Sequence, residues 1–221
     1  MQMNLQMDCT VLKFNHCGRT IYTFDQNRLQ TQNTERKCPV CQEPMRFSLL
    51  EAPIIVPCPF SNGHNTPCAF LIGASLGPAF ISELQDKEIH VGVTNSQGVV
   101  YSYTSLGIQR QKQDWEQCLC IPLVAPGIGT DSFHTLWDQE LEEFSLFPTW
   151  MPHRFEEERE FGSCCYGFAL SFLNKLRRAQ NSAVISKDDF TQFHVFPRVK
   201  LASKYIKVYQ EICQHGFYIA Q

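Results

Sequence analysis

The fold is decided by residues 90–101, which read His90-Val91-Gly92-Val93-Thr94-Asn95-Ser96-Gln97-Gly98-Val99-Val100-Tyr101. Two runs rich in β-formers flank a polar stretch that ends in glycine, and this pattern predicts a β-hairpin with a bulged or longer loop. A histidine begins the first strand, and imidazole is the side chain that most often serves as a catalytic base. The hairpin therefore predicts one half of a catalytic pair.

Cys164 and Cys165 follow much later in the chain and open an apolar segment. The segment has helical spacing, with Ser163 as the predicted N-cap and basic residues near its end. The positive end of a helix dipole stabilises a thiolate. His90 and one of the two thiols therefore predict the base and the nucleophile of a thiol enzyme.

Composition limits the classes of protein that this chain can represent. Its 221 residues are 43% hydrophobic, which predicts one full domain with a small appendage. The formal net charge of −3 offers no basic surface, so we expect no nucleic-acid partner. Apolar runs are too short for a membrane span, and the N-terminal residues lack the pattern of a secretory signal. We expect a cytoplasmic or nuclear protein with no transmembrane segment.

Cysteines are concentrated near the N-terminus, since six of the eleven lie in the first 70 residues. In a reducing compartment, metal binding or thiol chemistry is a commoner use of cysteine than a disulfide framework. We therefore divide the chain into a cysteine-rich, zinc-binding head over residues 1–75 and a body over residues 76–221.

The turn Cys38-Pro39-Val40-Cys41 has the spacing that points two thiolates at one tetrahedral metal. His64 and Cys68 are the predicted remaining ligands of a structural zinc site. A competing set takes Cys17 or His16 as the third ligand, in the manner of a zinc ribbon. A head with few large apolar runs has a small hydrophobic core, so it needs a structural metal site in order to fold.

Patterns elsewhere predict an α+β protein. Strand patterns occur at Ile21–Phe24, at residues 118–124, where Pro122 favours a sheet edge or a bulge, and at residues 193–196. Helical spacing occurs at residues 131–144 and from about residue 199 to 215. Residues 107–113 are predicted to form a loop that shapes a cleft.

The hairpin and the cysteine helix together resemble the permuted papain-like (NlpC/P60) superfamily. The resemblance lies in His90-Val91-Gly92-Val93, in the glycine eight residues after the histidine, and in Val99-Val100-Tyr101. In the lecithin:retinol acyltransferase-like branch, the histidine hairpin precedes the cysteine helix, as it does here. The resemblance implies a permuted papain-like domain with an antiparallel sheet packed on helices, preceded by a small zinc-ribbon-like head.

The resemblance also implies residue roles. Cys165 is the expected nucleophile, because Cys165-Tyr166-Gly167-Phe168 is similar to the start of the nucleophile helix in these folds. His90 is the expected base, and Cys164 is the alternative nucleophile or a helper. The acyltransferase-like branch has a second histidine twelve residues after the first, where this chain has Ser102 as a weaker helper.

Nearly the whole chain is similar to the makorin-2 opposite strand protein family, which brings no established activity. The similarity rests on Lys13-Phe14-Asn15-His16-Cys17, Cys38-Pro39-Val40-Cys41, Phe60-Ser61-Asn62-Gly63-His64, His90-Val91-Gly92-Val93-Thr94-Asn95, Trp150-Met151-Pro152-His153-Arg154 and Leu201-Ala202-Ser203-Lys204.

Two functions follow as hypotheses. The first is a cysteine hydrolase or acyltransferase, in which Cys165 attacks a peptide, isopeptide or acyl carbonyl while His90 relays the proton. The second is a catalytically inactive papain-like domain, a pseudoenzyme, whose zinc-bearing head makes the protein an interaction module for a protein partner.

Overall fold

The computed structural model describes residues 7–25, 37–47, 52–74, 77–78, 81, 89–124, 131–162 and 164–220. These residues form an α+β protein with two antiparallel sheets, as predicted. The predicted N-cap Ser163 lies outside the described residues. No described helix combines the length and the apolar character that crossing a bilayer requires.

The strands and helices follow one another in a simple order. The described strands are β1 (Val11–His16), β2 (Arg19–Phe24), β3 (Ile54–Val56), β4 (Ala69–Ala74), β5 (Ile89–Thr94), β6 (Val100–Thr104), β7 (Gly107–Gln111), β8 (Leu119–Pro122) and β9 (Tyr218–Ile219). The described α-helices are α1 (Asp131–Ser145), α2 (Cys165–Ala179), α3 (Lys187–Phe190) and α4 (Phe196–His215). A π-helical turn, Thr191–Val195, joins α3 to α4.

The chain divides into two compact units. Among the described residues, the larger unit is Phe60–Ala202, and the smaller unit combines Gln6–Pro59 with Ser203–Gln221. This division differs from the predicted ranges 1–75 and 76–221 in two respects. Residues 60–75 join the larger unit because β4 pairs with β5, and the last residues join the smaller unit because β9 pairs with β2.

The smaller unit is built on a sheet with the strand order β3-β1-β2-β9. A two-residue turn, Cys17-Gly18, connects β1 to β2, and both residues have positive φ angles, 45° and 71°. Hairpin turns of this kind match the right-handed twist of the strands. The small core includes the buried side chains of Phe14, Ile21 and Cys38.

The larger unit contains a sheet with the strand order β7-β6-β5-β4-β8. The predicted hairpin is confirmed as β5 and β6, and β8 lies at a sheet edge, as Pro122 predicted. Within the turn, the Asn95 side-chain oxygen accepts hydrogen bonds from the backbone N–H groups of Gln97 and Val99 at 3.0 and 2.8 Å. Asp138 on α1 anchors the turn through the backbone N–H and the hydroxyl of Ser96.

Pleating divides the larger sheet into two faces with different neighbours. Side chains alternate along a strand, and β4 pairs with β5 through Gly73 opposite His90 and Phe70 opposite Val93. On one face, here called the Trp115 face, a Cβ atom on Gly73 or Gly92 would approach the Trp115 ring to 3.3 or 3.2 Å. On the other, the α2 face, the Phe70 ring lies 5.4 Å from the ring of Tyr166.

Aromatic residues dominate the contact between α1 and α2. The rings of Trp137 and Phe172 meet edge to face at 5.1 Å between centroids, and Phe168 packs against Phe144 and Trp150 at 5.6 and 5.2 Å. Edge-to-face pairs add to the free energy gained from burial alone. Both helices follow the predicted apolar spacing, which is therefore confirmed.

Truncation of Phe168, which has 0% of its surface exposed, tests this packing. We expect Phe168→Ala to lower the free energy of unfolding by about 3–5 kcal/mol, because it leaves a cavity among aromatic rings. Phe193→Ala is the matched control, since Phe193 is 68% exposed. Denaturant unfolding followed by circular dichroism measures both, and equal losses would contradict the described core.

Candidate functional site

Four potential metal ligands meet in the smaller unit. One ligand atom each from His16, Cys17, Cys38 and Cys41 lies within 4.8 Å of every other. The Cys41 Sγ atom lies 3.4 Å from the His16 Nδ1 atom. Three thiols and one imidazole form a donor set that zinc uses in structural sites.

Two local turns bring these ligands together. The β1–β2 hairpin places His16 at its last strand position and Cys17 in its tip. The second turn begins at Cys38, whose carbonyl accepts a hydrogen bond from the backbone N–H of Gln42 at 3.0 Å. Gln42 has a φ angle of 63°, a conformation that reverses the chain immediately after Cys41.

Backbone groups in the second turn favour a thiolate at Cys38. Burial opposes ionisation, but the backbone N–H groups of Cys41 and Val40 outweigh it and lower the pKa of the Cys38 thiol to about 7. The Val40 nitrogen lies 3.4 Å from the Cys38 sulfur. Desolvation and hydrogen bonds with the thiols of Cys41 and Cys38 raise the pKa of Cys17 to about 11.

The spacing of the four ligand atoms fits a zinc ion. Around tetrahedral zinc with Zn–S bonds of about 2.3 Å, ligand atoms lie about 3.5–4 Å apart. The separations here, all within 4.8 Å, need little adjustment to reach that value. The cluster could therefore hold a metal ion.

His64 and Cys68, the other two predicted ligands, belong to the larger unit. The His64 Nδ1 atom lies 2.7 Å from the carbonyl oxygen of Gly98, to which it can donate a hydrogen bond. Cys68 is buried beside β4, and burial together with the charge of Asp138 raises the pKa of its thiol to about 12. The structure thus brings Cys38 and Cys41 together with the alternative ligands Cys17 and His16.

His90 lies on the Trp115 face of the larger sheet. Its ring stacks on the Trp115 ring, with centroids 5.8 Å apart and planes inclined by 28°. Burial lowers the pKa of this imidazole below its ordinary value. Among the described residues, His90 forms no hydrogen bond with Cys164 or Cys165.

The two thiols lie at the start of α2, which covers the opposite face of the sheet. Cys165 is buried and its sulfur lies near the backbone N–H of Val91. The hydrogen bond that it shares with Cys164, followed by burial, raises the pKa of Cys165 far above its ordinary value. The same hydrogen bond, the backbone N–H of Tyr166 and the nearby Lys187 lower the pKa of Cys164 to about 6.

Of the two thiols, Cys164 is therefore the one that ionises more readily, whereas the sequence favoured Cys165 as the nucleophile. The helper Ser102 does share the Trp115 face with His90, because it follows Tyr101, which pairs with Val93 and lies on the other face. Its hydroxyl, however, donates to the Gln111 side-chain oxygen at 3.2 Å. That oxygen also accepts a hydrogen bond from the Trp115 indole at 3.1 Å.

Trp115 and Gln111 are the residues that sequence reasoning missed. The sequence patterns gave Trp115 no functional role, and Gln111 lies in the segment that was predicted to be a loop. The signal that identifies them is a pair of glycines, Gly73 and Gly92, whose missing side chains leave room for the indole. On this face, Ser102 and Trp115 both donate hydrogen bonds to Gln111, and His90 stacks on Trp115.

Comparisons with known proteins identify relatives of this chain. A family model described as DUF4796 C-terminal matches residues 53–212, which is more than half of the chain. The human MKRN2 opposite strand protein is 38% identical over 211 residues, covering 95% of this chain and 88% of that protein. No solved structure matches the chain.

The chain is thus an α+β protein with the DUF4796 C-terminal region and a cysteine–histidine cluster in its smaller unit. It belongs to the MKRN2 opposite strand protein family. Of the two resemblances predicted from sequence motifs, the comparisons confirm the one to the makorin-2 opposite strand protein family.

Removal of the His90 imidazole tests whether His90 activates Cys164 or Cys165. Because the His90 ring stacks on Trp115, we expect His90→Ala to leave the alkylation rates of Cys164 and Cys165 within about twofold of wild type. Rates are measured by mass spectrometry after timed exposure to iodoacetamide at pH 7. A loss of tenfold or more in a folded variant would show that His90 activates a thiol.

Burial of His90 also predicts a pH dependence of stability. Its pKa is lowered in the folded state, so the unfolded chain takes up this proton first as the pH falls. The free energy of unfolding should therefore fall from about pH 7 towards pH 5, through the unfolded value of about 6.5. Denaturant unfolding should show a weaker decline for His90→Gln, and an identical decline in both proteins would contradict a buried, neutral His90.

Proposed function

We propose that this protein is a non-catalytic interaction module, with a zinc-bearing smaller unit and a permuted papain-like larger unit that has lost thiol-enzyme activity. The observation that carries the proposal is the position of His90, whose ring stacks on Trp115 on the sheet face opposite α2. A thiol enzyme needs its base within hydrogen-bond reach of the nucleophile.

The surroundings of the two thiols support the loss of activity. Burial and the hydrogen bond with Cys164 hold the proton on Cys165. Cys164 is the more acidic thiol, but its acidity depends on Cys165, Tyr166 and Lys187 rather than on an imidazole. Among the described residues, no imidazole forms a hydrogen bond with either sulfur.

The scaffold resemblance supports the papain-like part of the proposal. The β5–β6 hairpin precedes α2 in the chain, and α2 packs on the sheet that contains this hairpin. This is the order expected for the acyltransferase-like branch. What differs is the direction of the His90 side chain, which the pleat turns away from α2.

Zinc in the smaller unit would have a structural role. His16, Cys17, Cys38 and Cys41 would hold it, and the ion would join the β1–β2 hairpin to the turn that follows residue 37. The core of this unit is small, so the binding free energy of a metal would add directly to the stability of the fold. A rigid head of this kind would present a fixed surface to a protein partner.

Metal analysis tests the zinc-bearing half of the proposal. We expect about one zinc ion per chain in protein purified without chelator, and less than a tenth of that in Cys41→Ser, which removes one of four ligands. Inductively coupled plasma mass spectrometry measures the content. Wild-type protein that is folded and free of metal would contradict the site.

Matched variants separate the two candidate ligand sets. Cys58→Ser is the control within the smaller unit, since Cys58 is an exposed cysteine outside the cluster. His16→Gln should reduce zinc content and His64→Gln should retain it. Loss of zinc in His64→Gln with retention in His16→Gln would instead favour the set that includes His64 and Cys68.

A further inference from the structure

Two further thiols lie together at the edge strand β8 of the larger unit. Cys118 directly precedes this strand and Cys120 is its second residue, so both side chains lie on the Trp115 face. Their sulfur atoms are 3.7 Å apart. Neither thiol belongs to the cysteine–histidine cluster of the smaller unit or to the start of α2.

The segment before β4 holds the pair in place. Ser61 and Cys118 exchange two backbone hydrogen bonds, at 3.0 and 3.1 Å, which align their segments like neighbouring strands. This alignment brings the Ser61 hydroxyl to 3.2 Å from the Cys120 sulfur, to which it donates a hydrogen bond. Ser61 is exposed and Cys120 is partly exposed, so this hydrogen bond lies at the surface.

The surroundings of the Cys118 sulfur favour a protonated thiol. This sulfur lies 3.3 Å from the carbonyl oxygen of Trp115 and 3.6 Å from that of Ser61, and a carbonyl oxygen can only accept a hydrogen bond. Cys118 is also buried. The hydrogen bond with Cys120, followed by burial, raises the pKa of the Cys118 thiol.

The surroundings of Cys120 favour a thiolate. Its hydrogen bond with Cys118 lowers the pKa of the Cys120 thiol, and the hydroxyls of Ser61 and Thr66 and the charge of Arg198 act in the same direction. Together they outweigh burial and bring the pKa of Cys120 to about 6. Because the thiolate is the nucleophilic form of cysteine, the pair combines a nucleophile at the surface with a buried thiol beside it.

We propose that Cys118 and Cys120 form a peroxide-sensitive site, at which a hydroperoxide oxidises Cys120 and Cys118 then closes a disulfide with it. In the first step, the Cys120 sulfur attacks the terminal oxygen of the peroxide. An S–O bond forms and the O–O bond breaks, which leaves a sulfenic acid on Cys120. The released alkoxide takes a proton from water and departs as an alcohol.

The second step joins the two sulfurs. The Cys118 sulfur attacks the Cys120 sulfur, an S–S bond forms, the S–O bond breaks, and the hydroxyl group leaves with the Cys118 proton as water. Oxidation of Cys120 removes the thiolate that favoured the protonated form of Cys118, so Cys118 becomes the better nucleophile. Residues two apart in a strand have Cα atoms about 6.4–6.8 Å apart, at the upper end of the span of a disulfide. A dithiol would restore both thiols by exchange and would itself become a disulfide.

Peptide mapping of the full-length protein tests the proposal. The protein is treated with a small molar excess of hydrogen peroxide, the remaining thiols are blocked with iodoacetamide, and a tryptic digest is analysed by mass spectrometry. Both thiols lie on one tryptic peptide, residues 113–154, which contains no other cysteine. We expect this peptide to lose two hydrogen atoms, and to regain them when dithiothreitol is added before blocking.

Variants separate the roles of the two thiols. Cys118→Ala should leave a sulfenic acid on Cys120 that dimedone traps, whereas Cys120→Ala should leave Cys118 reduced. Ser61→Ala, at an exposed position, should slow disulfide formation about three- to tenfold, because the thiolate loses one hydrogen bond. Cys164→Ser is the matched control and should react like wild type, since Cys164 is another thiol of the larger unit whose pKa is lowered to about 6.

The wild-type measurement stands without any variant. An unchanged mass of the 113–154 peptide, under conditions that oxidise free glutathione, would overturn the proposal. Dimedone labelling of Cys118 in Cys120→Ala as fast as that of Cys120 in Cys118→Ala would also overturn it, because the two roles would then be exchangeable. Equal rates of disulfide formation in wild type and Ser61→Ala would count equally against it.

Discussion

The pairing of β4 with β5 is the constraint on which the larger unit depends. It sets Gly73 opposite His90 and Leu71 opposite Gly92, so that two positions without side chains lie side by side on one face. The Trp115 indole fills that space, and its ring N–H is satisfied by Gln111. A shift of β5 by one residue against β4 would turn the β5 side chains over and place Val93 on the face where the indole now packs. The same register therefore holds the core together and directs His90 away from the thiols.

Much of the architecture could be predicted because it follows from local periodicity. The β5–β6 hairpin, the edge position of β8 and the long helices α1, α2 and α4 all have patterns that extend over several residues. Two shorter segments were predicted wrongly. Residues 193–196 have a strand pattern but lie in the π-helical turn and the start of α4, because they continue the helical path from α3. Gly107–Gln111 forms a strand rather than a loop, because it pairs along its length with β6.

The candidate site was harder to predict, because it depends on contacts between distant segments. The Cys38–Cys41 turn is evident from its spacing, whereas its further ligands come from a hairpin tip more than 20 residues earlier. The sequence favoured His64 and Cys68 as the remaining ligands, whereas the structure assigns both residues to the larger unit. The direction of the His90 side chain also depends on contacts between distant segments. Chain order and turn chemistry matched a thiol enzyme, but the face that the imidazole occupies depends on strand register, which one sequence does not reveal.

The central claim is that His90 belongs with Trp115 and not with the cysteines of α2. Nuclear Overhauser spectroscopy of the folded protein measures this most directly, since it detects protons within about 5 Å of one another. The described stacking predicts cross-peaks between the His90 ring protons and the Trp115 indole protons. Cross-peaks from the His90 ring to the β-protons of Cys164 or Cys165, with none to Trp115, would contradict the account and restore a catalytic pair.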